Sequence, residues 1–181
     1  KKRQKEIKYS IDSWKENFFI HTNLDAEDFK ICICKQKNIK KWEDYIPATK
    51  GVLIGGFNLL NTWMVRSELR DALINLYVRN LNTNKEEKLV ITDEKVITPG
   101  AALMQKDRNT SKLYIAYNSP KTPGKSYIYD IVTKDKKLIK EEIIPSGHEP
   151  DDYIVERLNC NSHDGKKIPL TITRHKKTKL D

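Results

Sequence analysis

From Phe18 onward, short aromatic and β-branched runs alternate with polar turns, and the same plan occurs three times. Each copy has an apolar run, a polar turn, a second run, a turn rich in Lys, Asn and Asp, and a third run. The first is FFIHTNLDAEDFKICICKQKNIKKWEDYI (18–46), the second WMVRSELRDALINLYVRNLNTNKEEKLVIT (63–92) and the third LYIAYNSPKTPGKSYIYDIVTKDKKLIKEEI (113–143). Their starts are 45 and 50 residues apart, a period that suits a four-stranded propeller blade. Inside the copies the period is two: Leu113, Ile115 and Tyr117 alternate with Tyr114, Ala116 and Asn118, and Phe29, Ile31 and Ile33 with Lys30, Cys32 and Cys34. That is the pattern of strands with one face against a core. Asn82-Thr83-Asn84-Lys85 and Thr133-Lys134-Asp135-Lys136 are turn-forming clusters at matching places in two copies, where a hairpin must reverse.

Between copies, GVLIGGFNLL (51–60) and DEKVITPGAAL (93–103) are expected to be innermost strands and links. Gly51, Gly55, Gly56 and Gly100 are placed there, where backbones approach closely around a central channel. The expected fold class is therefore all-β, with about three four-stranded antiparallel blades of a β-propeller over residues 1–150. An ordinary β-sandwich is the competing reading. A blade cannot bury both faces alone, so three blades leave two apolar flanks in need of neighbours. The stretch DYIVERLNCNSHDGKKIPLTITRHKK (151–176) stands outside the repeat as one strand, a turn at His163-Asp164-Gly165 and a second strand that runs into lysines.

Composition narrows the function classes. The 181 residues are 33% charged and 38% hydrophobic, as in a globular protein of one or two domains. No window reaches the roughly 18 uninterrupted apolar residues of a spanning helix, and no apolar segment follows the basic N-terminus. A cytoplasmic location without membrane partners is expected. The net charge of +9 invites a nucleic-acid reading, but residues 1–8 carry +4 of it and residues 174–181 carry +3, which leaves +2 for the body. Charge gathered at the ends suits solvated termini rather than a groove that tracks phosphates, so no nucleic-acid partner is expected. The three cysteines are read as reduced thiols; Cys32 and Cys34 would lie about 7 Å apart on one strand face, too far for an unstrained disulfide, and pack as small hydrophobes.

Candidate chemistry is sparse. Acyl transfer by a serine needs a G-x-S-x-G elbow before a helix, with an acid and a histidine later in the chain. The nearest stretch, Gly124-Lys125-Ser126-Tyr127-Ile128, lacks the second glycine and reads as a turn between strands. His148, His163 and His175 follow it in a loop, a hairpin turn and a basic tail. Adjacent carboxylates at Glu86-Glu87, Glu141-Glu142 and Asp151-Asp152 point to opposite faces of a strand and are read as solvated charges. Gly55-Gly56 has no phosphate-loop frame, and the histidines and cysteines are too scattered for a metal. No catalytic, cofactor-binding or metal-binding residue is assigned.

Several residues carry a resemblance to a known family. Tyr117-Asn118-Ser119 with Thr122-Pro123, Tyr129-Asp130, Asp152-Tyr153, Glu156-Arg157, Asp164-Gly165 and Ile168-Pro169, with HTNLDAEDFKI (21–31) earlier, make the chain similar to the prolyl oligopeptidase family of serine peptidases. Within it, the oligopeptidase B (protease II) branch is closest. The resemblance implies that residues 1–150 belong to a normally seven-bladed propeller, and that 151–181 are the interdomain connection and the first strands of an α/β-hydrolase domain. It also implies that the nucleophile, acid and histidine lie in the remainder of that domain, so this segment alone is inactive. Short peptides, cleaved after basic residues, would be the partners of the intact enzyme, with the hydrolase domain supplied in the same chain or by a separate one. Tyr153, Glu156 and Arg157 are the expected interdomain residues, Tyr153 by packing and the other two by charged contacts. A non-catalytic β-rich interaction module is the alternative.

Overall fold

The computed structural model describes residues 4–103 and 108–179. Among the described residues, fourteen strands form three four-stranded antiparallel sheets and one hairpin. The first sheet holds β1 (Tyr9–Trp14), β2 (Asn17–Thr22), β3 (Lys30–Lys35) and β4 (Glu43–Ile46); the second holds β5 (Val52–Leu59), β6 (Trp63–Arg70), β7 (Leu73–Asn80) and β8 (Glu86–Lys88). The third holds β9 (Thr98–Leu103), β10 (Lys112–Asn118), β11 (Lys125–Asp130) and β12 (Lys136–Glu141). In each sheet, spatial order is sequence order. These meanders are the expected blades. A sandwich would pass strands between sheets, and among the described residues none is passed.

The repeat is visible at atomic level in the turns after β7 and β11. Asn80 Oδ1 accepts the N–H groups of Asn82 and Thr83, and Asp130 Oδ1 accepts those of Val132 and Thr133. Asn84 and Lys134 then take positive φ, 59° and 67°, to close each turn. A short side-chain oxygen that bonds the backbone two residues on is the reason such residues start turns.

Three expectations need correction. The first copy is not led by Phe18: β1 lies before it, paired residue for residue with β2 from Tyr9–Thr22 to Trp14–Asn17. Part of the basic terminus is likewise anchored, since the Thr22 hydroxyl donates to the Lys8 carbonyl at 2.9 Å and Asn23 Oδ1 accepts the Lys8 N–H at 2.7 Å. Residues 1–3, the most basic part of that segment, lie outside the described residues. Of the four glycines, only Gly55 sits at a close approach: a Cβ there would be 2.7 Å from Ser67 Oγ, whereas Gly51, Gly56 and Gly100 have nothing within 4 Å. Gly56 instead supplies a φ of 149° at the register shift between β5 and β6. Ser126, read as part of a turn, lies inside β11 opposite Ala116 and Lys140.

Two compact units are present. One contains the first sheet and the body of the second; the other contains the third sheet, the hairpin and the Asp71–Ile74 tip of the second sheet. In the first unit Phe19, Ile31, Ile46, Ile54, Leu59, Met64 and Leu81 form a buried cluster, which Trp14, Phe29, Ile33, Tyr45 and Phe57 flank. On the other face of β3, Cys32 and Cys34, neither of them in a disulfide, are buried with Ile20 against Phe18 and Trp42. The strict alternation expected for β3 therefore gives way to burial on both faces, as in a central strand. In the second unit β10 keeps it: Leu113, Ile115 and Tyr117 are buried and the residues between them are exposed.

Charges are less solvated than the sequence suggests. Arg66 and Glu68 on β6 are only 5% and 6% exposed, joined at 2.7 Å, and the Arg66 guanidinium also bonds Glu86. Arg66 lies over the ring of Tyr77, and Arg79 over that of Tyr45, each 4.7 Å from the centroid. Glu86, expected in solvent, is thus the shared carboxylate of two arginines, Arg66 and Arg79. Burial works against the Arg66 charge, and its hydrogen bonds to Glu86 and Glu68 more than offset that, so its pKa is raised. The other adjacent carboxylates are also engaged, Glu141 with Lys125 at 2.8 Å and Asp152 with Lys176 at 2.6 Å.

Candidate functional site

Within the second unit, the segment after β12 reaches a single turn of 3-10 helix (Pro150–Asp152) and enters a hairpin of β13 (Tyr153–Asn161) and β14 (Lys167–His175). Its turn is the expected one: Gly165 has a φ of 79°, and the Ser162 N–H donates to Lys166 O at 2.8 Å. Nine residues of each strand are in register, from Tyr153–His175 to Asn161–Lys167.

Direct pairing puts opposite residues on the same face, so the hairpin has two unlike sides. One carries Tyr153, Val155, Arg157, Asn159 and Asn161 opposite His175, Thr173, Thr171, Pro169 and Lys167. The other carries Ile154, Glu156, Leu158 and Cys160 opposite Arg174, Ile172, Leu170 and Ile168. On that second side Leu158, Ile168, Leu170 and Ile172 are all exposed, although apolar. A two-stranded ribbon with such a side has not completed its burial.

The base of the hairpin is held by rings and charges. Tyr153 stacks on His148, centroids 5.1 Å apart, and meets His175 edge-on at 5.6 Å. His148 Nε2 donates to the Lys121 carbonyl at 2.6 Å, which ties the cluster to the β10–β11 turn. That turn is itself braced: Ser119 and Thr122 donate their hydroxyls to the two oxygens of Glu94 at 2.5 and 2.7 Å. The Lys176 ammonium, bonded to Asp152, holds that carboxyl below its ordinary range, and the Lys176 N–H donates to the Asp152 carbonyl at 2.8 Å. Glu94, Lys95, Lys121, Tyr153 and Val155 line a cleft of about 490 Å³ beside this base.

Of the three residues singled out in the sequence, Tyr153 packs as an aromatic anchor. Glu156 pairs with Arg174 across the hairpin, Nε to Oε2 at 3.4 Å. Arg157, with no charge pair among the described residues, donates to Thr171 Oγ1 at 2.8 Å and to the Asp71 carbonyl. His148, His175, Lys121 and Glu94 were not legible as site residues, because their partners come from distant parts of the chain. Three of the four histidines serve backbone contacts: His21 with the Ile54 carbonyl, His148 with Lys121, and His175 Nδ1 as acceptor of the Lys177 N–H.

Residues 1–142 match the family model described as the prolyl oligopeptidase N-terminal beta-propeller domain. The chain belongs to the prolyl oligopeptidase family. Among the family's curated members it is 28% identical over 183 residues to dipeptidyl aminopeptidase BI of Pseudoxanthomonas mexicana, covering 99% of this chain and 25% of that one. It is 27% identical over 173 residues to the dual function macrocyclase-peptidase POPB of Galerina marginata, covering 90% and 22%. The chain thus spans about a quarter of the length of these relatives. Among solved structures, oligopeptidase B from Trypanosoma brucei, in a closed form with covalently bound antipain, superposes with a TM-score of 0.86 at 24% identity over 99% of this chain and 27% of that one. That likeness extends over the three prolyl oligopeptidase-type blades and the hairpin together.

Proposed function

We infer that this chain is the gating portion of a prolyl oligopeptidase-type serine peptidase, with residues 1–150 as blades and 151–181 as the crossing into a hydrolase domain. The observation that supports it most is the hairpin: it follows the third blade directly and presents an apolar side, Leu158, Ile168, Leu170 and Ile172, that needs a covering domain. The covering partner is the family's hydrolase domain, in the same polypeptide or a separate one, and the reaction is cleavage of short peptides after basic residues in the cytoplasm. Blades exclude folded proteins by their size and admit flexible peptides, as a lid does. Tyr153, Glu156 and Arg157 act as hinge residues, and nucleophile, acid and histidine come from the hydrolase domain.

The test uses a fluorogenic Arg-Arg peptide and a folded basic protein. The 181-residue chain alone is expected to give no turnover above background. Joined to a hydrolase domain, it is expected to cleave the peptide and spare the folded protein. Turnover by the chain alone that survives repurification and is lost with a serine-directed inhibitor overturns the reading, and so does digestion of the folded protein by the joined form.

A further inference from the structure

The hairpin is held within the second unit at two places that differ in kind. At its base the Tyr153 ring lies between His148 and His175, and His148 is fixed to the Lys121 carbonyl. Four residues along, Arg157 spreads its guanidinium: Nη1 serves Thr171, its register partner on β14, and Nη2 serves the carbonyl of Asp71. Asp71 and Ala72 are the two-residue turn between β6 and β7, with φ of 50° and 56°. Turns of this hand favour Asn and Gly, because a Cβ crowds the left-handed backbone. Asp71 suits the first place, where Asp also serves, but Ala72 stands where Gly is favoured, so the tip is held in a conformation that its second residue supports weakly. The Asp71–Ile74 tip nevertheless belongs to the compact unit of the hairpin. The planar fork reaches Thr171 and the turn carbonyl from two separate nitrogens, whereas the three donors of a lysine radiate from one atom and do not reproduce that spread.

We propose that Tyr153 is the pivot of the hairpin and Arg157 its catch. The catch bonds a backbone carbonyl at a partly exposed position, where water offers nearly equivalent bonds, so it opens and recloses at small cost. The pivot is ring packing plus a short histidine bond and persists while the catch is open. Swinging of β13–β14 away from the Asp71–Ile74 tip therefore breaks the Arg157–Asp71 bond and leaves the Tyr153 cluster intact. This rests on the hairpin being the interdomain crossing, and it adds the order in which its attachments release.

Hydrogen exchange of the 181-residue chain, read by mass spectrometry, tests it without any catalytic readout. In Arg157→Ala, exchange at the 71–74 tip is expected to rise at least about fivefold, with the segment 148–154 unchanged. Arg157→Lys, which keeps the charge and the fold, is expected to behave like Arg157→Ala. Tyr153→Leu is expected to raise exchange along both hairpin strands. An unchanged tip in Arg157→Ala, parental exchange in Arg157→Lys, or a Tyr153→Leu effect confined to the tip overturns the assignment. These outcomes are separate from gating: a working catch in an enzyme that fails to exclude folded proteins sinks only the gating reading, and an absent catch leaves gating untouched.

Discussion

Asn80 and Asp130, fifty residues apart, make the same turn in two successive blades: each side-chain Oδ1 accepts two backbone N–H groups, at 2.9 and 3.1 Å from Asn80 and at 2.8 and 3.3 Å from Asp130. Each turn then closes through a residue of positive φ, Asn84 or Lys134. Asn tolerates that conformation better than Lys. Lys134→Gly is therefore expected to stabilise the chain by about 0.5–1 kcal/mol, and Asn84→Gly to leave it nearly unchanged. Urea midpoints of the two variants check this, and equal gains would refute it.

The Arg66–Glu68–Glu86 cluster should respond asymmetrically to substitution. Arg66→Met leaves two carboxylates close together, one of them buried, without their main cation, and is expected to cost about 3–5 kcal/mol. Arg66→Met combined with Glu68→Leu removes the buried carboxylate as well and should recover a large part of that loss. Guanidinium unfolding of the single and double variants measures the difference; a double variant no better than the single one excludes a desolvation origin.

Asp44 gives a pH signature. The Lys30 ammonium bonds it at 2.9 Å and holds its carboxyl below the ordinary value of 3.8. A depressed folded-state pKa adds stability above the unfolded value, and that contribution is lost as pH falls through the folded one. Asp44→Asn should thus be less stable than the parent at pH 7, with the gap closing as pH falls below the ordinary value of 3.8 and through the depressed folded one. Urea midpoints across that range report it, and a gap that stays constant with pH would remove the ion pair as its cause.

The apolar side of the hairpin should govern how the isolated chain behaves. Leu158 and Leu170 sit directly opposite each other, 49% and 42% exposed. Leu158→Lys with Leu170→Glu should raise the monomer fraction in size-exclusion chromatography with light scattering, while the far-ultraviolet circular dichroism stays that of the parent. If association is undiminished, the open blade flanks rather than the hairpin drive it.

Periodicity near 50 residues, with alternation inside each copy, was enough to predict four-stranded blades, because inward-facing side chains repeat every second position and turn residues act locally. The same locality placed the His163-Asp164-Gly165 turn. β1 escaped because its apolar residues Tyr9 and Ile11 remain half exposed and so break no polar pattern. Identity of charge partners was not legible at all: Glu86 read as one of two solvated acids, yet folding sets it against Arg66, twenty positions back. Tyr153, Glu156 and Arg157 could be singled out by resemblance, but what each touches depends on His148, Lys121, Arg174, Thr171 and Asp71. Sequence alone determined which segments become strands and where they reverse. Tertiary structure decided which groups meet across long stretches of chain, such as the 86 positions between Arg157 and the Asp71 carbonyl, since such encounters depend on how whole sheets pack and leave no periodic trace in the order of residues.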